Sequence, residues 1–208
     1  MVGHGCILSE RGTPGRNRLG RRHAVPRAGI VFLALGLLLL AVLPVAASER
    51  LAEPTVGPDG LWIQDWFRPT LGDLRRDLAA ASAEGKILAV FWEAAGCQYC
   101  TKMHLTALRE ADVRDYINQR FYVVRLDRHG SLPITDFDGE TRTQADTYAR
   151  HHVVGTPTVE FRLADGREVF RLPGFAQTVI FRAVFEYVHT GGYLSVNVLD
   201  WLRSKDFF

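Results

Sequence analysis

Ile87-Leu88-Ala89-Val90-Phe91-Trp92-Glu93-Ala94-Ala95-Gly96-Cys97-Gln98-Tyr99-Cys100-Thr101 is the stretch that decides how the chain folds. Residues 87–92 have the length and the β-branched and aromatic content of a strand, apolar on both faces as in a buried parallel sheet. Residues 93–96 turn the chain, and Thr101 to Glu110 reads as a helix. Cys97 therefore falls at a helix N-terminus, where unpaired N–H groups and the helix dipole favour a thiolate. The thiolate is the species that attacks a disulfide. Cys100, one turn on, is placed to close an intramolecular disulfide and release a partner held on Cys97. In this setting the C-x-x-C pair reads as a redox motif.

Other chemistries fit the pair less well. A structural zinc site needs four ligands, and the sequence holds no second C-x-x-C. Cys97, Cys100 and His104 would supply three, but His104, on the helix past Cys100, reads as a surface residue. A c-type haem requires His directly after the second cysteine, where this chain has Thr101. No metal is expected, and the only redox group expected is the Cys97–Cys100 disulfide itself.

Upstream, the first 27 residues are basic and unpatterned, ending in Arg21, Arg22 and Arg27. Ala28 to Ala47 is apolar and uncharged and closes on Pro44-Val45-Ala46-Ala47-Ser48. Basic flank, apolar centre and small-residue exit make residues 1–47 an export signal, with an uncleaved anchor as the rival reading. Without residues 1–47 the chain carries 19 Lys+Arg against 22 Asp+Glu, a net charge of −3. The basic balance of the whole chain thus comes from the leader, and no nucleic-acid partner is expected. Of three cysteines, Cys6 leaves with the leader. An exported domain that keeps both remaining thiols in one short motif points to reactivity rather than stapling.

Residues 48–69 read as an N-terminal arm, with Pro54, Gly57 and Pro58 loosening its first part. Leu61, Trp62, Ile63, Trp66 and Phe67 are expected to pack onto the domain. Thr70-Leu71-Gly72-Asp73 resembles a capping box opening a helix that carries Leu71, Leu74, Leu78 and Ala81 on one face. After the redox helix come a helix over 111–119, a strand over 121–126, a polar loop over 129–142 and a helix capped by Thr143. His151 and His152 point about 100° apart on a helix and are expected to be solvent-exposed. Gly155-Thr156-Pro157-Thr158 leads into a strand to Leu163, and Pro157 stands where a cis peptide can be accommodated. The Asp165-Gly166 turn joins it to Glu168–Leu172 as a hairpin. An amphipathic helix over 177–189 follows, and residues 191–208 form a helical extension.

This order of elements, with Cys97-Gln98-Tyr99-Cys100, Gly155-Thr156-Pro157-Thr158 and the Asp165-Gly166 hairpin, resembles the thioredoxin superfamily over about residues 70–190. The resemblance implies an α/β thioredoxin-like fold, a central mixed sheet flanked by helices. It implies a cis Pro157 lying against the disulfide and shaping a substrate groove. The Thr156 backbone would pair with a bound peptide, and Gln98 and Tyr99 would line the same groove. Residues 96–104, 135–140 and 172–175 look most like the SoxW-type periplasmic thioredoxins. That likeness implies a periplasmic location, a protein disulfide as substrate and a CcdA-like membrane thiol transporter as electron donor. One departure matters. Thioredoxins carry a buried Asp six residues before the first cysteine, where this chain has Phe91; Glu93, sharing strand parity with Phe91, is a candidate proton acceptor for Cys100.

The expected activity is that of a thiol–disulfide oxidoreductase, a reductase of protein disulfides. A disulfide oxidase or isomerase, using the same residues in another direction, and a non-enzymatic thiol metal-binding module stay open. The arm before residue 70 shows no dimerisation domain, which leans toward a monomer.

Overall fold

The computed structural model describes residues 49–207; the leader expected over residues 1–47 lies outside the described residues. A short ribbon comes first, β1 (Thr55–Val56) antiparallel to β2 (Trp62–Ile63). Then follow α1 (Leu74–Ala83), β3 (Ile87–Glu93), α2 (Gln98–Leu105), α3 (Ala111–Arg120) and β4 (Phe121–Asp127). A second ribbon, β5 (Pro133–Thr135) and β6 (Thr141–Thr143), leads into α4 (Gln144–Arg150). The hairpin β7 (Thr158–Arg162) and β8 (Glu168–Pro173) is followed by α5 (Thr178–His189) and α6 (Val198–Ser204).

The main sheet has the order β4-β3-β7-β8. β3 runs parallel to β4 and antiparallel to β7, so the sheet is mixed, as expected from the sequence. β3 is a central strand with a core on each face, which is why its residues form an unbroken apolar run. Ala89 and Phe91 face one layer, with Met103 of α2, Val113 and Ile117 of α3, and Phe181, Val184 and Phe185 of α5. Leu88, Val90 and Trp92 face the other, with Leu74 and Ala81 of α1 and Tyr148 of α4. By the same alternation Glu93, at the end of β3, belongs to the face of Phe91 and α2.

Four local expectations are corrected. α2 starts at Gln98, not Thr101, because Cys97 itself is the N-cap and its Sγ accepts the Cys100 N–H. It ends at Leu105, and a separate 3-10 turn spans Ala107–Arg109. The cap of α1 is Asp73, whose Oδ1 accepts the Arg75 N–H at 2.8 Å. Thr70 instead donates its hydroxyl to the buried Asp77, and Leu71 is exposed. The polar segment 129–142 contains the β5–β6 ribbon; with Ile134 its only fully buried apolar residue, it lacks the alternation that announces strands. His151 is not solvent-exposed. The helix stops at Arg150 and His152 takes φ +53°, so the two histidines do not follow a helical wheel.

The arm is tied down by backbone pairing. Leu51 N–H donates to Arg109 O at 2.7 Å, Ala111 N–H to Glu49 O, and Arg68 N–H to Val123 O. Leu61 and Trp66 are buried against the domain, whereas Ile63 is exposed.

Candidate active site

Gly96, at φ +72°, makes the turn between β3 and α2 in a conformation that glycine adopts without strain. The turn delivers Cys97 to the helix start and Cys100 into the core. The two are joined as a disulfide with Cα atoms 5.2 Å apart, an ordinary span for such a bond. Their surroundings differ: Cys97 is half-buried and Cys100 is 1% exposed. Two donors converge on Cys97 Sγ, the Cys100 N–H at 3.1 Å and the Thr156 hydroxyl at 3.4 Å. Both would stabilise negative charge on that sulfur once the bond is reduced, adding to the helix dipole.

The Thr156–Pro157 peptide is cis, and the Thr156 carbonyl oxygen lies 3.4 Å from Cys97 Sγ. The loop before β7 and the start of α2 therefore meet at the sulfur that solvent can reach. Pro157 is buried and its carbonyl accepts the Gly174 N–H. Around this point Gln98 and Tyr99 are exposed. The Tyr99 ring stacks on Phe175 at 6.3 Å, and Lys102 Nζ sits 4.6 Å from the Phe175 ring centre. Phe175, from the loop after β8, thus forms a small surface cluster with Tyr99 and Lys102 of α2.

Beneath the pair lies a buried polar chain. Glu93 is fully buried, and its Oε1 is 2.8 Å from His104 Nε2. His104, expected at the surface, is also fully buried; it lies four residues past Cys100, on the same side of α2. Its Nδ1 is 3.1 Å from Gln64 Nε2, and Gln64 Oε1 accepts the Trp66 indole N–H at 3.1 Å. Trp62 stacks on the His104 ring and donates its indole N–H to Thr101 Oγ1. Glu93 Oε2 is buried and has no hydrogen-bond partner among the described residues. With both ring nitrogens engaged by Glu93 and Gln64, His104 does not join the cysteines in a ligand set. The arm residues Trp62, Gln64 and Trp66 were not singled out for the site by the sequence. A period-two spacing of polar and aromatic residues was the one available signal, and it reads equally as packing.

A second buried cluster sits on the opposite face of the sheet, away from the disulfide. His151 bridges Asp136 at 2.8 Å and Glu160 at 2.9 Å, and Trp92 donates its indole N–H to Glu160. Burial alone would lower the His151 pKa, but its two carboxylate partners outweigh it and push it up to about 9. Burial likewise opposes ionisation of Glu160, and His151 and Arg162 override it, holding the carboxyl down at about 2.

A family model described as a thioredoxin-like domain matches residues 74–189. Among solved structures, the chain is similar to a thioredoxin-fold protein from Helicobacter pylori, at 20% identity and TM-score 0.50, over 58% of this chain and 81% of that one. A thioredoxin from Thermus thermophilus is 26% identical, with TM-score 0.47, over 59% and 86%. A putative disulphide-isomerase from Bacteroides thetaiotaomicron is 20% identical, with TM-score 0.48, over 73% and 99%. Among curated proteins no match was found.

Proposed function

The chain belongs to the thioredoxin-like domain family, and on that premise we propose that it is an exported thiol–disulfide oxidoreductase that reduces protein disulfides. One observation carries the reading. The pair is asymmetric, with Cys97 reachable, approached by two hydrogen-bond donors and set against Thr156 of the cis Thr156–Pro157 peptide, while Cys100 is buried behind it. That is the arrangement of an attacking and a resolving thiol.

In the reduced protein the Cys97 thiolate attacks a substrate disulfide and forms a mixed disulfide, expelling one substrate thiolate. Cys100 then attacks Cys97 Sγ, the intramolecular bond re-forms, and the second substrate thiolate leaves. Glu93 accepts the Cys100 proton, taking the part that Phe91 denies to the usual position. A substrate strand lies along the Thr156–Pro157 edge, pairing with the Thr156 backbone and crossing Gln98, Tyr99 and the Phe175 ring.

The SoxW-type resemblance extends this reading. The protein works in the periplasm as a monomer, and a CcdA-like membrane thiol transporter returns electrons to the pair. The direction rests on Gln98-Tyr99: a His beside Cys97 would favour the thiolate strongly and make the pair oxidising, and none stands there.

The reduction potential of the Cys97–Cys100 pair, equilibrated against a thiol buffer, tests the direction. A value near −270 mV, in the thioredoxin range, is expected. A value near −120 mV would make the protein an oxidant of exported proteins. Titrating the reduced protein with Zn²⁺ tests the metal-binding alternative; tight stoichiometric binding that blocks exchange would favour it.

A further inference from the structure

Trp66 fixes the orientation of the Gln64 amide and, through it, which ring nitrogen of His104 carries the proton. An indole N–H can only donate, and it donates to Gln64 Oε1, so the amide is oriented with its NH2 toward His104 Nδ1. That NH2 is also only a donor, so Nδ1 must be the unprotonated ring nitrogen. The proton is then on Nε2 and is donated to Glu93 Oε1 at 2.8 Å. A doubly protonated ring would set Nδ1–H against the Gln64 NH2, donor against donor. The hydrogen-bond order thus leaves the Nε2–H of the ring aimed at a carboxylate. Glu93 Oε2 is left buried with no partner among the described residues, which is costly for a carboxylate oxygen unless it has a use.

We propose that His104, oriented by Gln64 and Trp66 of the arm, is a positioning residue that holds Glu93 as the proton acceptor for the resolving cysteine. The inference rests on the oxidoreductase reading above and adds a part of the chain that lies before residues 74–189. In the resolving step the Cys100 thiol gives its proton to Glu93 Oε2. The thiolate attacks Cys97 Sγ, and the Cys97–Cys100 bond forms as the bond from Cys97 to the substrate sulfur breaks. The substrate sulfur leaves as a thiolate with the electron pair, so two electrons have passed from the dithiol to the substrate. His104 neither gains nor loses a proton in the step. Its N–H keeps Glu93 Oε1 satisfied and the other oxygen free.

The test separates attack from resolution. The reduced full-length protein is mixed with 5,5′-dithiobis(2-nitrobenzoate), and release of the coloured thiolate is followed in a stopped-flow instrument. Attack by Cys97 releases the first equivalent and resolution by Cys100 the second. His104→Leu is expected to leave the first phase within about twofold of wild type and to slow the second at least tenfold at neutral pH, the scale of losing general-base assistance. It should also move the pH profile of the second phase upward. Glu93→Gln should do the same. His104→Gln keeps an N–H at the Nε2 position and should restore most of the second phase.

Equal slowing of both phases by His104→Leu, or an unchanged second phase, overturns the role of His104. If His104→Leu does not fold, the comparison of His104→Gln with Glu93→Gln decides, and equal second phases in the two overturn the proposal. A wild-type protein with no second phase overturns the oxidoreductase reading itself.

Discussion

His151 is enclosed on the face of the sheet away from the disulfide, its side chain only 6% exposed. It sits between two carboxylates, Asp136 on the turn of the β5–β6 ribbon and Glu160 on β7, with Arg162 and Arg171 at the edge of the cluster. Removing one partner of a buried charged set leaves the others uncompensated, so His151→Leu should cost roughly 3–5 kcal/mol in urea denaturation. The cluster also sets a pH dependence. The folded-state pKa of His151, about 9, is above its ordinary value of 6.5, so its contribution is full below pH 6.5 and is lost as pH rises to 9. Asp136 and Glu160 are held below their ordinary values, so theirs is present above 4.5 and is lost as pH falls, for Glu160 toward 2. Thermal stability is therefore expected to be greatest between about pH 5 and 6.5 as far as this cluster goes. Melting scans across pH 3–10 check it, and in His151→Leu the alkaline decline should flatten.

Elements follow their end signals when those signals are local. Thr143 caps α4 as the sequence suggests, its hydroxyl accepting the Asp146 N–H. α1 is different, because two groups compete for its first turn. Asp73 takes the cap, while Thr70 satisfies the buried Asp77, which burial pushes toward protonation. Asp73→Ala should therefore cost about 1 kcal/mol in chemical denaturation, with thiol exchange unchanged because α1 packs on the face of the sheet away from the disulfide. α2 runs over eight residues, Gln98–Leu105, where the sequence predicts a helix from Thr101 to Glu110. Its first turn is organised by sulfur, which a propensity reading does not weigh, and Thr106 at φ −119°, ψ −90° ends it.

Across the described domain, stability rests on β3 and the two layers that bury it. The Phe91 ring meets those of Phe67, Phe181 and Phe185, tying the arm, β3 and α5 together. Phe91→Ala should cost roughly 3–5 kcal/mol, a large share of the 5–15 kcal/mol that holds a typical domain, and a thermal melt should show it. The arm is part of this body: Trp66 lies in the same core as Phe91, and Gln64 reaches His104. From the sequence alone came β3 and β4, read as unbroken apolar runs, the C-x-x-C turn, the Thr156–Pro157 approach to β7 and the hairpin at Asp165-Gly166, but not the two short ribbons β1–β2 and β5–β6. These are local signals, written in neighbouring residues; the mixed sheet is implied by the family resemblance, and its order β4-β3-β7-β8 is set by pairing between distant segments. The tertiary structure alone decided that Glu93 is buried against His104, that Gln64 and Trp66 orient the ring from 40 and 38 positions away, and that His151 bridges two carboxylates. The physical reason is that a polar side chain is buried only where a partner meets it, and these partners come together only when distant segments pack.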